Sequence, residues 1–240
     1  MSKKILLVGD VHGNFAAMNA GLSRWIERTG HQPDEIIQVG DFGYYPLVDD
    51  LPIEMPNLAS GESKFIRGNH EDHESLPLEA AYPTETKYGS WKYVPDGYID
   101  DNGILYIGGA QSLPSDKEAR VQADLRLRQI GERFPYRWYH NEEISEEKQS
   151  EIFDVIQEYR GDIRLVVSHD CPQHICRMLH GRFAYPSSTG LFLDRVWNAF
   201  PSGAKPLWRF GHHHMSFKHE QFKCLREDMM HYDCLEMIEL

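Results

Sequence analysis

The sequence predicts an α/β fold with parallel strand pairing in its first half. Short β-branched or aromatic runs end in loops rich in Gly, Asp and His. The first run is followed at once by apolar residues at helical spacing. Side chains able to cap a helix stand where the helical patterns begin.

Taken in order, Lys3 to Val8 reads as a buried strand. Asn14 then caps a helix in which Phe15, Met18, Leu22, Trp25 and Ile26 recur on one face. Glu35 to Val39 and Lys64 to Arg67 read as further strands. Lys92 to Val94, Tyr98 to Asp100 and Ile104 to Ile107 are separated by Pro95-Asp96-Gly97 and Asp101-Asn102-Gly103, a pattern that predicts an antiparallel meander with a tight Asn-Gly turn. Residues 111–144 break the rhythm and read as a partly helical insertion or cap within a single 1–240 domain. Ser145 opens a helix that runs to Tyr159, with Glu146 and Glu147 favourable in its first turn and Gly161 closing it. Ile163 to Val167 is a strand, Gly190 to Phe200 a helix, and Leu207 to Phe210, Phe217 to Cys224 and Tyr232 to Ile238 are the last strands.

Composition narrows the classes. Hydrophobic residues make up 41% and charged residues 26%, enough for a sizeable core and against wholesale disorder. The net charge of −12 speaks against extended nucleic-acid binding, which needs a broad basic footprint. No apolar run approaches the roughly 20 residues of a membrane span, and the stretch after Met1-Ser2-Lys3-Lys4 is too short for a signal peptide. A cytoplasmic protein without membrane attachment is expected. The 4 cysteines form no CxxC pair, so reduced, buried thiols are expected.

The chemistry lies in five blocks: Gly9-Asp10-Val11-His12-Gly13-Asn14, Gly40-Asp41, Gly68-Asn69-His70-Glu71, Ser168-His169-Asp170 and Gly211-His212-His213-His214. Each follows a strand-like run. Asp10 and His12, two positions apart at a strand end, are expected to project to one side, as are His212 and His214, with His213 turned away. Carboxylate, amide and imidazole donors suit Mn²⁺, Fe or Zn²⁺ better than a thiolate-rich site would. A two-metal site needs a shared carboxylate, and Asp41 is the best placed. Such a pair generates a bridging hydroxide near neutral pH and holds a phosphoryl group for in-line attack, with His70 suited to donate a proton.

The order of these blocks resembles the calcineurin-like metallophosphoesterase superfamily, whose pattern runs Asp-x-His, Gly-Asp, Gly-Asn-His-Asp/Glu, a lone His, then Gly-His-x-His. Every element occurs in order across residues 9 to 214. A bacterial and phage-type group is the most similar branch, through Gly40-Asp41-Phe42-Gly43, Arg67 to Glu71, Gly108-Gly109-Ala110, Asp116-Lys117 and Glu142-Glu143-Ile144-Ser145. The protein phosphatase branch differs: its Asp-Arg-Gly continuation after Gly-Asp is replaced here by Phe42-Gly43-Tyr44-Tyr45.

The resemblance implies a four-layer αββα sandwich of two mixed sheets flanked by helices. It implies two divalent metal ions, Mn²⁺ foremost, with Fe, Zn²⁺ or Ni²⁺ as alternatives. Asp10, His12, Asp41 and His214 would hold the first; Asp41, Asn69, His169 and His212 the second. His70 would be the general acid or phosphate stabiliser, with Glu71 orienting it. The expected function is a metal-dependent phosphohydrolase that cleaves phosphomonoesters or phosphodiesters by attack of a metal-bridging hydroxide. Its substrate would be a phosphorylated small molecule, nucleotide or phosphoprotein. The alternative is a non-catalytic metal-binding scaffold or nucleotide sensor on the same fold.

His73, His174, His180, His219 and His231 read as structural or surface residues, with His174 and His180 in the loop after His169 nearest to substrate. In the basic, aromatic stretch from Lys117 to Tyr139, acidic residues are interleaved with the cations. A solvated helix face is the first reading, and a phosphate clamp through Arg120 or Lys117 the second.

Overall fold

A computed structural model describes residues 2–46, 58–132, 136–159, 161–226 and 234–240. Eleven strands among them form two mixed sheets. The first has the order β11-β1-β2-β3-β5-β4, with β1 Lys4–Val8, β2 Glu35–Gln38, β3 Ser63–Phe65, β4 Thr84–Glu85, β5 Trp91–Tyr93 and β11 Leu235–Glu239. The second runs β6-β7-β8-β10-β9, with β6 Ile104–Ile107, β7 Leu165–Ser168, β8 Leu207–Phe210, β9 Phe217–His219 and β10 Phe222–Cys224. Pairing is parallel through β1, β2, β3 and β5, and again through β6, β7 and β8.

Strand alternation sorts the apolar side chains into three cores. Ile5, Leu7, Ile37, Val39, Tyr106 and Val167 fill the space between the sheets. Leu6, Val8 and Ile36 point the other way, onto α1 (Phe15–Thr29), where Phe15, Met18, Leu22 and Trp25 meet them. On the outer face of the second sheet, Leu105, Val166, Trp208 and Phe210 pack on α3 (Glu146–Glu158), α4 (Gln173–His180) and α5 (Ser188–Ala199) through Ile152, Ile175 and Phe192. Two sheets covered by helices on both outer faces make the four-layer αββα sandwich. A strand buried on both faces needs apolar residues at every position, which is why Ile5-Leu6-Leu7-Val8 reads as a continuous run.

Capping follows the expected chemistry. Asn14 Oδ1 accepts the Ala17 amide at 3.2 Å, and Ser145 Oγ accepts that of Lys148 at 3.2 Å. The helix after Ser145 ends at an extended Tyr159, ahead of Gly161. α2 (Pro114–Arg128) carries the basic stretch, and Arg120 and Asp124 are its buried residues.

Two expectations require correction. The antiparallel meander expected over residues 91–107 is present only in part: Tyr98 to Asp100 turns back on Ile104 to Ile107, with an antiparallel Ile99–Leu105 bridge and a 3.0 Å bond from the Tyr106 amide to the Tyr98 carbonyl, but the first run lies in the other sheet. β5 pairs in parallel with β3 in the first sheet, and β6 pairs in parallel with β7 in the second, so residues 94–103 cross between sheets. The Asp100–Gly103 turn is present, closed by a 3.0 Å bond from the Gly103 amide to the Asp100 carbonyl, but it serves that crossover. Phe217 to Cys224 is not one strand but a hairpin, β9 against β10. Of the strand expected at Tyr232 to Ile238, Tyr232 lies outside the described residues, as do Arg133, Phe134 and His231. Among the described residues, no helix is long and apolar enough to cross a membrane.

Candidate metal centre

The five motif blocks follow the carboxyl ends of β1, β2, β3, β7 and β8, all members of parallel ladders. In sheets of this type the crevice beyond the strand ends is where ligands bind. Backbone bonds lock the loops together. The amides of Val11 and His12 reach the Asp41 carbonyl at 3.0 and 2.7 Å, and Gly211 reaches the His169 carbonyl at 3.0 Å. The buried Gln38 side chain donates to the carbonyls of Gly9 and Gly40 and accepts the Gly40 amide at 3.0 Å.

The ligand residues do not project by strand alternation. β1 ends at Val8, and His12 lies beyond it with φ 49°; Asp41 (φ 52°), His212 (φ 64°) and His214 (φ 50°) share that left-handed backbone. Side chains other than glycine rarely adopt it, and such strain concentrates at functional sites. Left-handed turns, held by the loop bonds, aim these groups inward.

The donors gather into two groups that share one residue. Asp10, His12, Asp41 and His214 form one; Asp41, His169 and His212 form the other, each with ligand atoms within 4.8 Å of one another. Asn69 adjoins the second, its Oδ1 3.3 Å from His169 Nε2. Its orientation is set from behind: Asn69 Nδ2 donates to Ser112 Oγ at 3.1 Å, and Ser112 Oγ donates to Glu142 at 2.6 Å. His169 Nδ1 lies 3.0 Å from the Val39 carbonyl, which can only accept, so Nε2 faces the site.

Charge in the pocket is unbalanced. Asp10 Oδ1 and Asp41 Oδ2 are buried and without a hydrogen-bond partner. A buried carboxylate oxygen left bare is costly, and a cation removes the cost. Burial would raise the Asp41 carboxyl, but His169 beside it holds it well below the usual carboxylate range. Burial opposes charge on His169, yet Asp41 and Asp10 push it up to about 10. His212 is pushed down to about 3, mainly by burial, and is therefore a neutral imidazole ready to bind a cation. The donor set and the bare oxygens both fit a pair of divalent ions.

Glycines make room for this crowding. A Cβ on Gly68 would lie 2.2 Å from Asp41 Oδ1, and one on Gly211 would lie 2.0 Å from Asp10 Oδ1.

His70 lines the adjoining cleft, but Glu71 does not orient it. The Glu71 carboxylate accepts the amides of Gly68 (2.6 Å) and Gly43 (3.2 Å), tying the second block to the third, and burial with Asp41 pushes it up to about 8. His70 Nδ1 faces Arg120, whose Nη1 lies 3.2 Å away and also donates to the Asn69 carbonyl at 3.2 Å, while Nε2 lies 3.8 Å from Asp116 Oδ2. A guanidinium only donates, so Nδ1 accepts and the proton of the neutral ring sits on Nε2. Burial lowers the His70 pKa, which keeps the ring neutral at neutral pH. Neither basic residue lines the cleft: Arg120 is buried beside His70, and Lys117 lies over the Trp138 ring at 3.9 Å.

The lesser blocks of the bacterial and phage-type pattern build the wall behind Asn69. Gly109 donates to the Arg67 carbonyl at 2.9 Å and Ala110 to that of Glu142 at 3.2 Å, while Arg67 bonds Asp96 at 2.8 Å and the Asn141 carbonyl at 2.8 Å. His213 is not turned away. It lines the same cleft, as does His180, which is on α4 and not in a loop, whereas His174 pairs with Asp194 at 2.6 Å. Cys176 and His180, one helical turn apart on α4, carried the sequence signal for this wall, but only folding brings them to His213.

Fold and site define a double-sheet α/β protein with adjoining cation pockets at the strand ends. The chain belongs to the calcineurin-like phosphoesterase family, whose model matches residues 3–216. Its members are metal-dependent phosphoesterases with a dimetal centre. No curated protein matches the chain.

Proposed function

We propose that this protein is a two-metal phosphohydrolase acting on small phosphate esters. The observation that carries the reading is the pair of donor groups joined at Asp41, each holding a buried, bare carboxylate oxygen. Asp10, His12, Asp41 and His214 would hold one ion and Asp41, Asn69, His169 and His212 the other, with Mn²⁺ the favoured metal on this oxygen- and imidazole-rich set. When bound, the two cations supply Lewis acidity to the phosphoryl oxygens and an activated water. His70 presents Nε2–H to the charge that develops on the ester, a fixed donor in a largely buried setting. Arg120 holds that tautomer and, through the Asn69 carbonyl, the ligand beside it.

The cleft supports a small substrate. It has a volume of about 510 Å³, within the usual size of small-molecule sites, and Leu113, Phe183 and Tyr185 add apolar surface to a lining that includes the metal ligands. Residues 111–144 act in this reading as a cap: Gln111, Ser112, Leu113 and Asp116 are part of the cleft wall.

The test is hydrolysis of p-nitrophenyl phosphate and bis(p-nitrophenyl) phosphate by metal-stripped protein resupplied with Mn²⁺. Turnover of either ester that needs the metal and is lost in Asp41→Asn supports the proposal. Metal uptake at full stoichiometry with no turnover of either would overturn it in favour of a metal-binding scaffold.

A further inference from the structure

The wall of the cleft beside the dimetal centre carries a second kind of donor set. Cys176, His180 and His213 each bring one ligand atom to within 4.8 Å of the other two. Cys176 and His180 stand four residues apart on α4 and so share a face. His213 comes from the loop after β8, so two distant segments meet here.

The surroundings orient these donors for a cation. His213 Nε2 lies 3.2 Å from Asp170 Oδ1 and 3.2 Å from Cys171 Sγ. Asp170 is buried and anchored, accepting the Cys171 amide at 2.7 Å and the Ser187 hydroxyl at 3.0 Å. An anchored carboxylate behind an imidazole holds the proton on the nitrogen facing it and leaves the other nitrogen as a lone-pair donor, the arrangement that supports metal-bound histidines. That other nitrogen, His213 Nδ1, is 3.0 Å from His180 Nε2. Two imidazoles on a tetrahedral ion with ~2.0–2.1 Å bonds have nitrogens about 3.3 Å apart, so a small relaxation admits one. Asp170, Cys171 and His213 also lie within ligand distance of one another, but both Asp170 oxygens are engaged by protein donors, which makes that group the outer support.

We propose that Cys176, His180 and His213 form a third divalent-cation site, of the zinc class, on the wall of the cleft. One thiolate with two imidazoles is softer than the carboxylate, amide and imidazole set of the dimetal centre and selects Zn²⁺ over Mn²⁺. All three residues line the cleft. The site stands on its own donors and does not depend on the hydrolytic reading.

Cobalt distinguishes this site from its neighbours, because the dimetal centre contains no sulfur. Metal-stripped full-length protein titrated with Co²⁺ is expected to develop a near-ultraviolet thiolate-to-cobalt charge-transfer band. Cys176→Ser should abolish the band, and zinc-loaded Cys176→Ser and His180→Ala should each hold one equivalent of zinc fewer per chain than the parent. His180→Ala changes a half-buried residue and keeps the test open should the cysteine variant fold poorly. Absence of the band in the parent, its persistence in Cys176→Ser, or equal zinc content in parent and His180→Ala overturns the proposal.

Discussion

His169 Nε2 lies 3.3 Å from Asp41 Oδ1, with both side chains buried. Without a cation the imidazolium is the countercharge of the shared carboxylate; with one, the imidazole must be neutral to bind. Metal uptake therefore displaces a proton. Titrating metal into the stripped protein at pH 7 to 8 should release protons, and apparent affinity should rise with pH across that range. Calorimetry in buffers of different ionisation enthalpy reads both; uptake without proton release would refute the pairing.

The same pair sets the pH dependence of stability. His169 titrates near 10 when folded, above its ordinary 6.5. Its contribution is fully present below about 6.5 and is lost as pH rises through about 10. Asp41 runs the other way: lowered from 3.8, it stabilises above that value and loses its contribution as pH falls through the lowered one. The Tm of metal-free protein should fall between pH 7 and 10, and metal-loaded protein should lose less over that window.

His70→Ala should retain both metals and lose ~10²–10³-fold in kcat, the usual cost of removing one fixed donor from a developing charge. Metal content by elemental analysis beside steady-state kinetics separates this from structural loss. Unchanged kcat would remove His70 from the mechanism.

Arg120→Gln should lower kcat by roughly 10–100-fold, the scale for groups that orient a ligand or catalytic side chain, and leave KM near the parent value. The guanidinium reaches Asn69, His70 and Glu142, the last at 3.4 Å. A change confined to KM would instead mark Arg120 as a direct substrate contact.

Gly68→Ala should cost about 1–3 kcal/mol and weaken metal binding, because the added methyl would sit 2.2 Å from Asp41 Oδ1 and 2.4 Å from the Asp41 amide. Chemical denaturation with and without metal measures both. Parent-like stability and affinity would show that the loop has room to yield.

The chain order of Asp10, His12, Asp41, Asn69, His70, His169, His212 and His214 was enough to propose the family and the ligand set, since each follows a recognisable strand-like run. The doubly buried runs and the Asn14 and Ser145 caps were legible because periodicity and capping are local; the αββα architecture was expected only through the family resemblance that the motif order carries. Folding alone decided what depends on contact between distant segments. Residues 91–107 look like a meander, yet tertiary packing assigns their two strands to different sheets. Strand alternation turns His213 outward, but left-handed turns at His212 and His214 swing the loop so that it meets His180 and Asp170. Arg120 was a candidate phosphate ligand by charge, and its place beside His70 follows from where α2 docks. Local chemistry selects the donors; long-range packing, which no short window of sequence encodes, selects what stands behind them.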